Sequence, residues 1–188
     1  TILKCMCGLL IPNKAEIISD KGDLSREDYL NRDIIYVSDE PIYYHNLTVQ
    51  EHFWLVCKVE NYTPEEAQKA ISFYTNKLHM QEYLNYYPSA LSKGTLQRMM
   101  LIMGFLRRKP NLLLDEPFNG LDPVQLEEII QICDEERKKR CMIISSHDIE
   151  SLAELCDEYI VWGTNGIKVF SGKIDRKAVN QMIGDSYV

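Results

Sequence analysis

The chain has 188 residues, enough for one domain with a real core, and its 45% hydrophobic and 26% charged residues exclude a disordered or collagen-like chain. Its 21 Lys and Arg against 28 Asp and Glu give a net charge of -7, which argues against nucleic acid as the main partner, because phosphate binding is driven by clustered basic charge. The 6 cysteines form no C-x-x-C pair and have no His at ligand spacing, so reduced thiols in the cytosol are expected, and the longest apolar run, Met99 to Leu106, is far short of the roughly 20 residues a membrane span needs.

In chain order, Ile2 to Leu10 is apolar on nearly every side and predicts a helix buried deep in a core. Pro12-Asn13 makes a turn, and Glu16 to Ile18 is a short strand candidate. Asp33 to Val37 predicts a buried strand, broken by Asp39-Glu40-Pro41. Thr48 with Glu51, and Thr63 before Pro64, carry helix-start chemistry, so a helical region is expected over about 48–87.

From Ser92 onward the order alternates. A helix runs to about Arg108, burying Met99, Met100, Ile102, Met103 and Leu106; Leu112 to Leu114 is a fully apolar strand; Pro123 to about Lys138 is an amphipathic helix. The basic run Arg137 to Arg140 falls where that helix should end and complements its dipole. Cys141 to Ser145 predicts a strand, Ile149 to Cys156 a helix, Tyr159 to Trp162 a strand, Gly166 to Ser171 a last strand, and Lys173 onward a terminal helix. Alternation of this kind is the pattern of an α/β fold, with a parallel sheet covered on both faces.

The chemistry concentrates in Leu112-Leu113-Leu114-Asp115-Glu116-Pro117-Phe118-Asn119-Gly120-Leu121-Asp122-Pro123. A buried strand ends in two adjacent carboxylates, and side chains alternate along a strand, so Asp115 and Glu116 are expected to face different tasks. Carboxylates at the carboxyl end of a parallel strand sit at the crevice where such folds bind ligands. One could hold Mg²⁺ through water while the other orients or deprotonates an attacking water.

That segment resembles the Walker B motif and D-loop of ABC ATPases, and two others agree in order and spacing. Leu91-Ser92-Lys93-Gly94-Thr95-Leu96-Gln97-Arg98 resembles the ABC signature, and Ile143-Ile144-Ser145-Ser146-His147-Asp148 resembles the switch strand with its histidine. Ile34 to Pro41 matches the Q-loop region, so the resemblance covers essentially the whole chain. It implies a single ABC ATPase domain over 1–188: a P-loop NTPase-like, mostly parallel sheet flanked by helices, with a RecA-like core and an inserted helical subdomain at about 48–91.

The resemblance also implies roles. Asp115 would hold the magnesium ion through water, and Glu116 would be the general base or water-positioning residue for attack on the γ-phosphate. His147 would contact that phosphate, and Asp122 would align two subunits. Ser92, Lys93 and Gly94 would serve ATP bound by a partner subunit, at a helix N-terminus whose amides suit an anion. ATP would be sandwiched between two such domains, in a homodimer or heterodimer, and phosphoryl transfer needs chiefly positioning and charge stabilisation.

Three departures stand out. Lys93 and Thr95 replace the usual second Gly and the Gln of the signature, and Asp39 stands where a Gln usually binds magnesium and water; a carboxylate can also ligate Mg²⁺ through water. Asp39 with Ser-Lys-Gly resembles ATPases of some bacterial exporters. The third is the phosphate-gripping G-x-x-G-x-G-K-[ST] loop, which the sequence lacks; Thr1 aligns with the residue just after that loop or with its final Thr. Residues, including a central strand, are therefore expected to precede Thr1, and the 188 residues alone are expected to be unstable and inactive.

The function expected is an ATP-binding and ATP-hydrolysing subunit that powers transport, export on the subfamily resemblance, through a separate membrane permease. Such a subunit works in the cytoplasm, peripheral to the inner face of the membrane, with no nucleic acid as partner. Tyr43, Tyr44, Phe53 and Trp54 are candidates for the permease contact, although core packing explains Phe53 and Trp54 equally well. The alternatives are one domain of an ABC protein acting on ribosomes, or a non-catalytic regulatory fragment.

Overall fold

The computed structural model describes residues 1–14, 16–19, 22–23, 32–147, 152–153, 155–163 and 166–172. The chain divides into two compact units, Thr1–Ser145 and Ser146–Val188.

The first unit is built on a parallel sheet in the order β3-β4-β5, with β3 at Ile34–Val37, β4 at Asn111–Asp115 and β5 at Cys141–Ser145. Leu112, Leu113 and Leu114 make β4 apolar on both faces, as a central parallel strand requires, and all three are buried. On one face lies α1 (Ile2–Met6), where Leu3 and Cys7 pack on Leu113 with Ile34, Tyr36 and Ile143 around them. On the other lies α4 (Lys93–Phe105), so close that a Cβ on Gly104 would come within 2.5 Å of Val37 Cγ2.

α1 is shorter and less buried than its composition suggests. Gly8 adopts the left-handed conformation (φ 84), and the amides of Leu9 and Leu10 fold back onto the Lys4 carbonyl, which ends the helix. Leu9, Leu10 and Ile11 are consequently exposed. The buried guanidinium of Arg32 donates to the Cys5 and Met6 carbonyls at 2.8 and 2.6 Å, satisfying that helix end. The strand expected at Glu16 to Ile18 is displaced to β1 (Ile18–Ser19), antiparallel to β2 (Gly22–Asp23).

Both expected helix starts form, each with a capping box. Thr48 and Glu51 open α2 (Val49–Val59), and Thr63 and Glu66 open α3 (Pro64–Lys77). These helices cover α4, which is therefore buried almost all round, although Met103 is only half-buried. Glu60 ties α2 to the far end of α4 through Arg107 and the Arg108 amide, and the Tyr62 hydroxyl donates to the Leu106 carbonyl at 3.0 Å. The end of α5 (Pro123–Glu136) is anchored by Glu136, which accepts from Tyr74, Lys139 and Arg140 while almost fully buried.

In the second unit, β6 (Glu158–Gly163) and β7 (Gly166–Ser171) pair antiparallel. The two residues that separate them along the chain cannot make a parallel crossover. The Tyr159 hydroxyl, buried, donates to the Leu152 and Ala153 carbonyls. Half of the expected helix at Ile149 to Cys156 and all of the one from Lys173 lie outside the described residues.

Candidate functional site

The carboxyl ends of the three parallel strands bring together residues far apart in sequence. Asp115, the last residue of β4, sits between Tyr36 of β3 and Ser145 of β5, all on the face that carries α1. Its Oδ2 accepts from the Tyr36 hydroxyl at 2.6 Å, and its Oδ1 accepts from the Ser145 hydroxyl. Burial pushes the Asp115 carboxyl up, but the bonds from Ser145 and Tyr36 outweigh it, helped by the charge of Lys4; the carboxyl is held below the usual aspartate value. Burial and the bond to Asp115, with the charges of Asp115 and Asp39, push the Tyr36 hydroxyl well above the ordinary tyrosine value, so it remains a donor.

Glu116 follows in a left-handed backbone conformation, φ 47, which a residue with a side chain adopts at a cost of about 1–2 kcal/mol. Strand alternation therefore does not set the two carboxylates apart, as the sequence led one to expect: the chain has left β4 at Glu116, and the turn, not the pleat, sets its direction. The Glu116 amide donates to the Ser145 carbonyl at 3.0 Å and to the Ser145 hydroxyl oxygen at 3.2 Å. Ser145 thus holds the carboxylate of one residue and the backbone of the next.

The turn from Pro117 to Gly120 packs on the start of α4. Gln97, buried, donates its side-chain amide to the Pro117 carbonyl at 3.2 Å. Gly120 is left-handed (φ 80), and the aliphatic stem of Lys93 lies over it, 3.2 Å from where a Cβ would stand. Ser92 caps α4, its Oγ accepting from the Thr95 amide at 3.2 Å, and Gly94 is buried against the turn. Asp122 caps α5, its Oδ1 accepting from Val124 and Gln125.

Of the other residues singled out from sequence, Asp39 is exposed just beyond β3, with Oδ1 accepting from Ser38 at 3.3 Å. Thr1 is exposed at the start of α1, without a side-chain cap bond. His147 is exposed and belongs to the second unit; Asp148 lies outside the described residues. Phe53 is fully buried core and is not available to a partner; Trp54 and Tyr43 are half-buried, whereas Tyr44 is exposed, as is Ile42, which the sequence did not single out.

Tyr36 and Ser145 were legible only as parts of motifs; nothing local in sequence shows that they meet across strands. Among the described residues no three His, Cys, Asp or Glu side chains group to hold a metal ion, and no helix is long and apolar enough to cross a membrane. The site still fits Mg²⁺ held through water. Each Asp115 oxygen has two acceptor positions and gives one to a hydroxyl, leaving one on each for a metal-bound water. Magnesium ordinarily takes one or two carboxylates, its own waters and substrate phosphates, with no full protein cage.

A family model described as ABC transporter matches residues 1–119. The ABC-type transporter ATP-binding protein EcsA of Bacillus subtilis (strain 168) is 27% identical over 163 residues, covering 86% of this chain and 66% of its own length, so the matched stretch spans a little under two thirds of that relative. Among solved structures, an ATP binding subunit of an ABC transporter superposes with a TM-score of 0.79 at 22% identity, over 100% of this chain and 78% of that one. A dimeric ATP-binding cassette in a post-hydrolysis state, bound to ADP and Pi, superposes with a TM-score of 0.73 at 22% identity, over 85% and 73%.

Proposed function

This chain belongs to the ABC transporter family, and from that premise we propose that it is the ATP-binding and ATP-hydrolysing part of a transport machine, working in the direction of export through a separate membrane permease. The observation that carries the proposal is the end of β4: a carboxylate gripped by two hydroxyls and kept ionised, followed at once by a second carboxylate in a strained turn. Strain of that kind persists where the surrounding structure over-determines it, as at functional sites.

In this reading Asp115, joined by Asp39 at the end of β3, holds Mg²⁺ through water. The bound ion supplies charge neutralisation on the β- and γ-phosphates. Glu116 orients the attacking water and takes its proton, and Thr1 lies beside the phosphates. Ser92, Lys93 and Gly94, at the dipole-positive start of α4, serve a nucleotide held mainly by a second copy or a related ATPase domain, with Asp122 aligning the pair. The packing of α4 against the turn after Glu116 supports joint movement of these two elements. The dimeric cassette with its bound ADP and Pi supports the paired arrangement by analogy of fold.

Exposed Ile42 and Tyr44, in the loop between Asp39 and α2, are the surface assigned to the permease, which would place the protein on the cytoplasmic face of a membrane. The test is Mg²⁺-dependent ATP turnover by the product of the complete reading frame. Glu116→Gln should lower it by at least about 100-fold, the loss expected for a general base. Turnover unchanged in that variant would overturn the assignment, and co-purification with ribosomes in place of an integral membrane protein would overturn the transport role.

A further inference from the structure

Asp115 lies on the central strand of the sheet, and each neighbouring strand sends one hydroxyl to one of its oxygens. Ser145 is its direct partner in the β4–β5 register. Tyr36 is paired with Leu113, two residues earlier, and spans that offset with the length of its phenol. The Ser145 oxygen already accepts from the Glu116 amide, so its own proton is directed at Asp115. Rotation of the carboxylate about either side-chain torsion would break at least one of these bonds.

We propose that Tyr36 and Ser145 are positioning residues for metal binding: two strand-borne hydroxyls that lock the Asp115 carboxylate in one rotamer and fix the direction in which its remaining acceptor positions meet metal-bound water. The proposal rests on the reading of Asp115 as the magnesium-holding carboxylate. Its physical basis is occupancy. With one acceptor position on each oxygen already filled by a hydroxyl, one position on each remains, fixed in direction, and metal-bound waters can each donate to it. Groups that orient a ligand from rigid strands hold it more precisely than loop groups would, and partners of this kind typically affect metal affinity by 10–100-fold.

The experiment is a Mg²⁺ titration of fluorescent-ATP binding to the complete protein, comparing wild type with Tyr36→Phe, Ser145→Ala, Ser145→Thr and Asp115→Asn. Each hydroxyl deletion should raise the Mg²⁺ midpoint by about 10-fold, with metal-free nucleotide binding unchanged, and Ser145→Thr should restore the wild-type midpoint. A purely structural role would lower the unfolding midpoint and weaken nucleotide binding with and without metal alike. If Asp115→Asn shifts the Mg²⁺ midpoint and the hydroxyl deletions do not, the positioning role is wrong and the reading of Asp115 stands. If Asp115→Asn leaves the midpoint unmoved, that reading fails and the proposal falls with it. Should Tyr36→Phe fail to fold, the Ser145→Ala and Ser145→Thr pair decides alone.

Discussion

Gly94 and Gly120 are fitted to one another: a Cβ on Gly94 would stand 2.9 Å from the Gly120 carbonyl oxygen and 3.1 Å from Gln125 Oε1. A backbone oxygen cannot swing aside as a side chain can. Gly94→Ala should therefore push α4 away from the turn that follows Asp115 and Glu116, at a cost of about 1–3 kcal/mol in urea denaturation. ATP turnover should fall further than stability does, because the displaced elements carry both halves of the proposed site. An alanine variant as stable and active as wild type would show that the two elements do not depend on close approach.

Glu116 offers a test of stored strain that separates backbone from side chain. Glu116→Ala and Glu116→Gly both remove the carboxylate, but only glycine relaxes a backbone held at φ 47. Glu116→Gly should be more stable than Glu116→Ala by about 1 kcal/mol, the reverse of the order at an extended position. Both should lack turnover. Equal unfolding midpoints would mean that the turn is not strained.

The residues legible in sequence are those whose partners lie within one turn of chain. Thr48 and Thr63 announce their helices because the cap and the Glu that answers it are three residues apart. The family pattern located Asp115, Glu116 and Ser92 for the same reason: each stands in a short, ordered motif. What escaped depends on distant pairing. Tyr36 reaches Asp115 across 79 positions and Ser145 across 30, and no local periodicity encodes strand register between them. Phe53 could be read as surface or core from its sequence position, and the fold buries it completely. α1 was overextended because its apolar run hid the effect of Gly8, whose φ of 84 ends the helix.

Glu136 gives the first unit an acid-sensitive anchor. Burial pushes its carboxyl up, but Lys139, Arg140 and Tyr74 outweigh that and hold it below the usual glutamate value. A folded-state value below the unfolded one stabilises above the unfolded pKa, about 4.3, and that contribution is lost as pH falls through the folded value. The contribution of Glu136 to stability should thus be constant from pH 7 to about 5 and decline below about 4. Glu136→Gln should flatten that acid limb. Glu136→Ala, which leaves Arg140 buried without its partner, should cost about 3–5 kcal/mol at pH 7. Denaturation midpoints across pH would settle both, and an acid limb unchanged in Glu136→Gln would assign it to another carboxylate.

His52 governs the loop between Asp39 and α2. The ring is fully buried; its Nε2 accepts from the Tyr44 amide at 2.9 Å, which requires the proton on Nδ1, and Nδ1 donates to the Thr48 carbonyl at 2.7 Å. One neutral tautomer therefore pins the loop that presents Ile42 and Tyr44. His52→Phe keeps the ring's bulk but abandons the Tyr44 amide, so hydrogen exchange should accelerate at residues 42–47 and overall stability should drop by about 1–3 kcal/mol. Because the change leaves Asp115 and its hydroxyls alone, the Mg²⁺ midpoint of nucleotide binding should not move, while capture of the membrane partner should weaken. Faster exchange with undiminished capture would show that the loop is held by His52 but is not the docking surface.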